Sequence, residues 1–234
     1  MCRLLRPFAR RNGRITYLDH ATFLLQTNGG VYTAADYTGY LGTKDLVPIV
    51  VTMNNGHETH WTRHPDPRIE HVLEGLSENG RVAYIDLDLG EILIRNVPTD
   101  LRGRPIHPDA QPRANGNSIF VFDVAGLCIG HLGHLHHEPT PVQYASLGRM
   151  GLVIAPADGA YTMVQVAMAR AVKRLHTRII LPMHWFVAPT LASFWNGVGK
   201  EFPIALRRGA PIKVSICTLP DQPTMIVLSP HWLD

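Results

Sequence analysis

Residues 127–137, LCIGHLGHLHH, decide how this chain is read. The first half is apolar and suits a buried strand. The second half carries four histidines in seven residues. Imidazole is both the commonest metal ligand and the commonest general base. A strand running into such a cluster therefore predicts a scaffold that presents a metal or acid–base site at its edge. If strand alternation continues, His134 and His136 share one side and His137 takes the other.

The same arrangement recurs on either side of this run. Residues 46–52, LVPIVVT, form an apolar β-branched stretch that empties into Asn55-Gly56-His57-Glu58-Thr59-His60. Residues 177–183 read as a buried strand that stops at His184. Residues 151–155 read as a third, followed by Asp158-Gly159-Ala160-Tyr161-Thr162. There Asp158 or Thr162 caps the next helix, or Asp158 orients a ligand imidazole from behind. Asp19-His20, at the end of the first strand, reads as a structural turn.

The remaining pattern is of short strands and a few helices. Strands are expected over 15–18, 21–27 and 31–35, and Asn28-Gly29-Gly30 marks a hairpin. Proline followed by RIEHVLEGL predicts a short helix over 67–75. Strands follow over 82–87, 91–97 and 118–124, with a long loop over 98–117. A helix is expected over 163–175 and a substrate-shaping loop over 188–203. A strand pair, 212–219 with 224–228, closes the chain. An α/β sandwich, two sheets inside and helices outside, accommodates this order. It predicts one domain over 14–234 after a basic tail, 1–13.

Composition excludes several classes of protein. The 234 residues are 45% hydrophobic and 18% charged, with net charge +3, too apolar and too neutral for a disordered chain. No apolar run reaches the ~18 residues of a membrane span. Three cysteines, Cys2, Cys128 and Cys217, lack paired spacing and do not make a disulfide scaffold. The basic excess sits in Arg3, Arg6, Arg10, Arg11 and Arg14; without them 17 basic residues face 19 acidic ones. The nucleic-acid signal is therefore weak. A signal-peptide apolar core is missing from MCRLLRPFAR, and the expected compartment is the cytoplasm, with the periplasm as alternative. Phosphate-loop spacings and a G-x-S-x-G elbow are likewise absent from the sequence. The sequence leaves the oligomeric state undetermined.

ITYLDHATFLLQT, GGVYTAAD, GLCIGHLGHL, APADGAYTM and IILPMHW occur in that order over most of residues 14–187. Their order resembles the metallo-β-lactamase superfamily, in the branch that includes L-ascorbate-6-phosphate lactonase. The resemblance implies an αββα sandwich with a metal site at one edge between the sheets. The family signature H-x-H-x-D-H falls on Asn55, His57, Thr59 and His60, so its first histidine and its aspartate are replaced. The bridging aspartate falls on His134, the third ligand histidine on Thr99 with His107 a weak substitute, and the final histidine on His184.

These replacements imply one metal rather than two. Zinc is expected, ahead of manganese or iron, on His60, His134 and His184, with His57 as fourth ligand or proton shuttle. Glu58, Asp158 and His57 are the expected proton-handling groups. The implied activity is metal-dependent hydrolysis of an ester, lactone or phosphoester on a small molecule. The alternative is a catalytically inactive member of the superfamily serving as a binding or metal-sensing module.

Overall fold

The computed structural model describes residues 12–54, 59–76, 81–102, 112–199, 201–207, 211–231 and 233. His57, Glu58 and His107 lie outside them. In chain order the first strands are β1 (Gly13–Asp19), β2 (Thr22–Gln26), β3 (Tyr32–Ala35), β4 (Val50–Met53) and β5 (His71–Glu74). Then come β6 (Asp86–Asp88), β7 (Ile92–Leu101), β8 (Arg113–Val124), β9 (Leu127–His131), helix α1 (Pro141–Leu147), β10 (Leu152–Pro156) and α2 (Gln165–Arg174). The last elements are β11 (Ile179–Met183), α3 (Ala188–Val198), β12 (Ile204–Arg207), β13 (Ile212–Val214) and β14 (Thr224–Leu228).

Two sheets form. One has the order β13-β1-β2-β3-β4-β5 and the other β12-β14-β11-β10-β9-β8-β7-β6. Their facing sides share a core in which Ile15, Phe23, Leu25 and Val50 meet Ile94, Phe120, Phe122, Ile129, Ile154 and Leu181. Each such side chain stabilises the fold by about 1.5–3 kcal/mol when taken out of water. On the outer side of the larger sheet, Met168, Ala171 and Val172 of α2 and Phe194 and Val198 of α3 join a cluster with Val153 and Ile180. The sandwich expected from the sequence is thus present. The outer face of the smaller sheet is different: Leu24, Ala34 and Val51 are covered by Tyr37, Leu41 and Ile69, which lie outside helices and strands.

Several local expectations are corrected. The helix over 67–75 is instead β5, which pairs in parallel with β4 from Val50↔His71 to Met53↔Glu74. Its alternating exposure follows a period of two, and the ladder offered by β4 outweighs local helix propensity. The 98–117 loop is shorter, because β7 and β8 continue pairing to Leu101↔Arg113. The 188–203 loop contains α3, where Leu191, Phe194 and Val198 are buried at helical spacing. The closing strands do not pair with each other: β13 lies beside β1, and β14 between β11 and β12. Ile216–Thr218 is a 3-10 turn rather than strand. The hairpin around Asn28–Gly30 is present, with β2 and β3 antiparallel. Among the described residues no helix is long and apolar enough to cross a membrane.

Candidate functional site

Parallel pairing determines where the polar strand ends go. β3 runs parallel to β4, and β9, β10 and β11 run parallel to one another. The residues just past their C-terminal ends therefore gather along one edge of the sandwich. These are Asp36 after β3, Asn54 and His60 after β4, His134 and His136 after β9, Asp158 after β10 and His184 after β11. The β1–β2 turn adds His20, whose carbonyl accepts the backbone N–H of His184 at 2.9 Å and so ties the two sheets together.

His20, His60 and His184 each place a ring nitrogen within 4.8 Å of the others. The ring centroids of His60 and His184 are 5.5 Å apart, and that of His134 lies 4.9 Å from His60 and 5.4 Å from His184. Three of the four expected metal positions are therefore neighbours. His20, read from the sequence as structural, belongs to the same group. The structure marks it by conformation: His20, Asp36, His184 and Phe186 all have left-handed backbone, with φ of 49°, 53°, 56° and 41°. Such non-glycine residues are uncommon and gather at functional sites.

Two carboxylates stand behind the imidazoles. His60 Nδ1 is 2.7 Å from Asp36 Oδ2, with both side chains fully buried. An ionised carboxylate only accepts, so His60 Nδ1–H donates and Nε2 keeps the lone pair. The Asn54 amide donates to the other oxygen of Asp36. Burial pushes the Asp36 carboxyl up to about 6, against the lowering effect of His131 and Asn54. His184 Nδ1 donates in the same way to Asp158 Oδ1 at 3.1 Å. Asp158 also accepts the backbone N–H groups of Ala160, Tyr161 and Thr162 at 2.8, 2.6 and 3.1 Å, and the Thr162 hydroxyl at 2.5 Å. Burial pushes this carboxyl up, but the bonds from His184 and Thr162 outweigh it and hold it well below the ordinary carboxylate range. Asp158 therefore does not cap α2, whose N-cap is Val164.

His131 is engaged differently. Its Nε2–H donates to the Ala21 carbonyl at 2.9 Å and its Nδ1 accepts the Gly133 N–H at 3.2 Å, so both nitrogens serve the fold. Burial pulls its pKa down. His134 and His136 contact each other, Nδ1 to Nε2, at 2.8 Å. Burial, then the His60, His136 and His184 rings, lower His134 to about 2. Burial, then the Arg102 and His137 charges, lower His136 to about 4. Both rings are neutral at pH 7. Thr99, the counterpart of a family ligand histidine, is buried and its hydroxyl accepts from Asn117 Nδ2 at 2.8 Å.

Three buried or half-buried imidazoles, two oriented by carboxylates to present Nε2, are the donor set and the supporting layer that a nitrogen-preferring divalent ion requires. The residues present therefore fit such an ion. Beside them lies an aromatic rim. Phe186 is 57% exposed and Tyr161 61%, with ring centroids 5.8 Å apart, and Phe186 sits 4.8 Å from the His184 ring.

Fold and site together define a member of the beta-lactamase superfamily. The chain belongs to that family, whose domain profile matches residues 14–184. No curated protein matches the sequence. Among solved structures, a proposed Zn-dependent hydrolase of the metallo-beta-lactamase superfamily from Thermotoga maritima superposes with a TM-score of 0.63 at 18% identity, over 92% of this chain and 98% of that one. A proposed metal-dependent hydrolase from Parabacteroides distasonis gives 0.60 at 14%, over 93% and 92%. Igni18, a metallo hydrolase from the archaeon Ignicoccus hospitalis, gives 0.56 at 17%, over 80% and 90%. At these identities the likeness is one of fold.

Proposed function

We propose that this protein is a metal-dependent hydrolase of small esters or lactones that carry an apolar substituent. The observation that carries the reading is the convergence of His20, His60 and His184 within 4.8 Å, in front of Asp36 and Asp158. These three imidazoles would hold one divalent ion; zinc is favoured because the donors are nitrogens. When bound, the ion supplies Lewis-acid polarisation of an acyl oxygen and lowers the pKa of nearby water. Asp36 and Asp158 hold the ligand rings in the donating tautomer. Phe186 and Tyr161 form a wall that takes the apolar part of the substrate and keeps water from it.

The likeness to the lactonase branch supports acyl chemistry. The exposed rim of Phe186 and Tyr161 argues for an apolar substituent rather than a sugar-acid phosphate. We further propose that residues 14–234 act as one domain, since β1 and β13 pair across the chain and both halves contribute to the site. Limited proteolysis yielding two independently folded fragments would refute that. The activity is tested on chelator-stripped protein titrated with Zn²⁺, Mn²⁺ and Fe²⁺ and assayed on panels of esters, lactones and phosphoesters. Turnover of apolar esters or lactones with one equivalent of metal is expected. Stoichiometric metal without turnover on any panel would favour a metal-sensing or binding module instead.

A further inference from the structure

A directed chain of hydrogen bonds ends at His134, and it fixes that ring differently from its neighbours. The backbone N–H of Arg102 donates to His136 Nδ1 at 3.0 Å. A backbone N–H only donates, so Nδ1 of His136 holds a lone pair and the neutral ring carries its proton on Nε2. That Nε2 lies 2.8 Å from His134 Nδ1. The one proton of the His136 ring therefore lies between the Tyr161 carbonyl and His134 Nδ1; His134 Nδ1 can only accept it, and the proton of the His134 ring resides on Nε2.

The chain is anchored at both ends. The Arg102 guanidinium donates to the carbonyls of Thr162, at 3.0 Å, and Ala160. The backbone N–H of His134 donates to Asn117 Oδ1 at 2.8 Å, and Asn117 is a buried residue of β8. Two opposite tautomers thus meet in one cleft. His60 and His184 keep their protons on Nδ1, against Asp36 and Asp158, and hold lone pairs at Nε2. His134 holds its lone pair at Nδ1 and a proton at Nε2. For His134 to ligate through Nε2, the protons on both His134 and His136 would have to shift, and His136 Nδ1–H would then oppose the Arg102 N–H.

We propose that His134 is not a metal ligand but the hydrogen-bond donor of the site, its neutral Nε2–H stabilising the negative charge that develops on the acyl oxygen of the substrate. This rests on the hydrolase reading above. A neutral imidazole donor held rigidly in a partly buried cleft strengthens as charge appears on the oxygen, without prior reorganisation. His136 and the Arg102 amide are positioning residues that fix the tautomer. The position where the family carries a metal-bridging carboxylate has, in this chain, become an electrophilic one. The His134 proton is shared with the oxygen and is not transferred, so the ring stays neutral throughout.

The test uses the full chain with ¹⁵N-labelled histidine. Two-bond nitrogen–carbon-bound-proton correlations distinguish Nε2–H from Nδ1–H tautomers. His134 is expected as Nε2–H, and His60 and His184 as Nδ1–H, before and after one equivalent of Zn²⁺. His134→Ala should bind one equivalent of zinc within about threefold of the wild-type affinity while losing about 10²–10³-fold in kcat. His136→Ala should lower kcat with little change in KM. His136→Gln should recover most of that loss, since its Oε1 accepts the Arg102 N–H and its Nε2–H donates to His134. An Nδ1–H tautomer at His134, or loss of stoichiometric zinc in His134→Ala, would overturn the assignment. Wild-type protein that bound no metal would instead defeat the hydrolase reading, and the tautomer measurement on that same protein would still decide the state of His134.

Discussion

Asp36 offers the sharpest test of how the centre is built, through the substitution Asp36→Asn. The carboxylate accepts from His60 Nδ1 at 2.7 Å and from both the side-chain amide and the backbone N–H of Asn54, and is fully buried. An amide of nearly the same shape has one accepting and one donating end. With its oxygen toward Asn54, its NH₂ faces His60 Nδ1, which now has to accept. The imidazole can do so by moving its proton to Nε2, the atom an ion would take. The fold exchanges a charge-assisted bond for a neutral one, a loss of about 1–2 kcal/mol, but it also sheds the desolvation cost that raises the Asp36 carboxyl to about 6 and destabilises its ionised form at pH 7. The two oppose each other, so Tm should stay within about 4 °C of wild type.

The metal should be affected more than the fold. Loss of the group that orients a ligand histidine typically weakens metal affinity about 10–100-fold. Asp36→Ala should behave differently, because it strands buried donors of His60 and Asn54 and leaves a void. Its cost is about 3–5 kcal/mol, or roughly 6–20 °C. Thermal melts monitored by circular dichroism, with and without chelator, and a competition titration with a zinc indicator separate the two effects. An Asp36→Asn protein that binds zinc as tightly as wild type while melting more than about 10 °C lower would refute the reasoning, since Asp36 would then serve only the fold.

Three further outcomes are expected. His20→Ala should lower zinc affinity at least about 10-fold with an unchanged far-UV spectrum; unchanged affinity would return His20 to the role of a turn residue. Phe186→Gly should leave Tm unchanged or raise it by about 1–4 °C, because φ of 41° favours glycine and the ring is 57% exposed. The same variant should raise KM for apolar esters several-fold, and a clearly lower Tm would contradict this. Gly133→Ala should be destabilising by about 2–4 kcal/mol, since φ is 59° and the added Cβ would stand 2.3 Å from Asn54 Nδ2 and 2.7 Å from Asn117 Oδ1. A wild-type melt would show that the loop yields.

The strand ends were legible because burial writes itself into sequence as apolar runs, and residues 151–155 and 177–183 stop where the polar site begins. His60, His134 and His184 could be read together from those endings. His20 and Asp36 obey the same rule but do not stand out in the sequence. A lone Asp-His after a strand resembles any turn, and the left-handed backbone that marks both residues has no reliable letter code outside glycine. β5 reads as a helix because RIEHVLEGL is composed of adequate helix formers, and only the waiting edge of β4 selects the extended form. α3 is hidden in the sequence because Leu191, Phe194 and Val198 are spread through a stretch containing Pro189, Gly197 and Gly199. The direction of the Arg102–His136–His134 chain depends on one backbone N–H and lies beyond any reading of spacing.

The balance between an active hydrolase and an inactive relative turns on what a decayed site would keep. An unused centre has no reason to hold a fully buried carboxylate whose pKa burial raises to about 6, because that burial opposes folding and an apolar residue of similar volume commonly serves stability better. Nor would it keep four non-glycine residues in left-handed backbone around one cleft, each strained relative to ordinary conformations. Here the expense falls on Asp36, His20, His184 and Phe186, while Thr99 is held in a structural hydrogen bond with Asn117. Strain gathered at His20, Asp36, His184 and Phe186 around one cleft, in a chain where several of the family's ligand positions are replaced, is what a rebuilt centre would carry. That pattern favours the hydrolase.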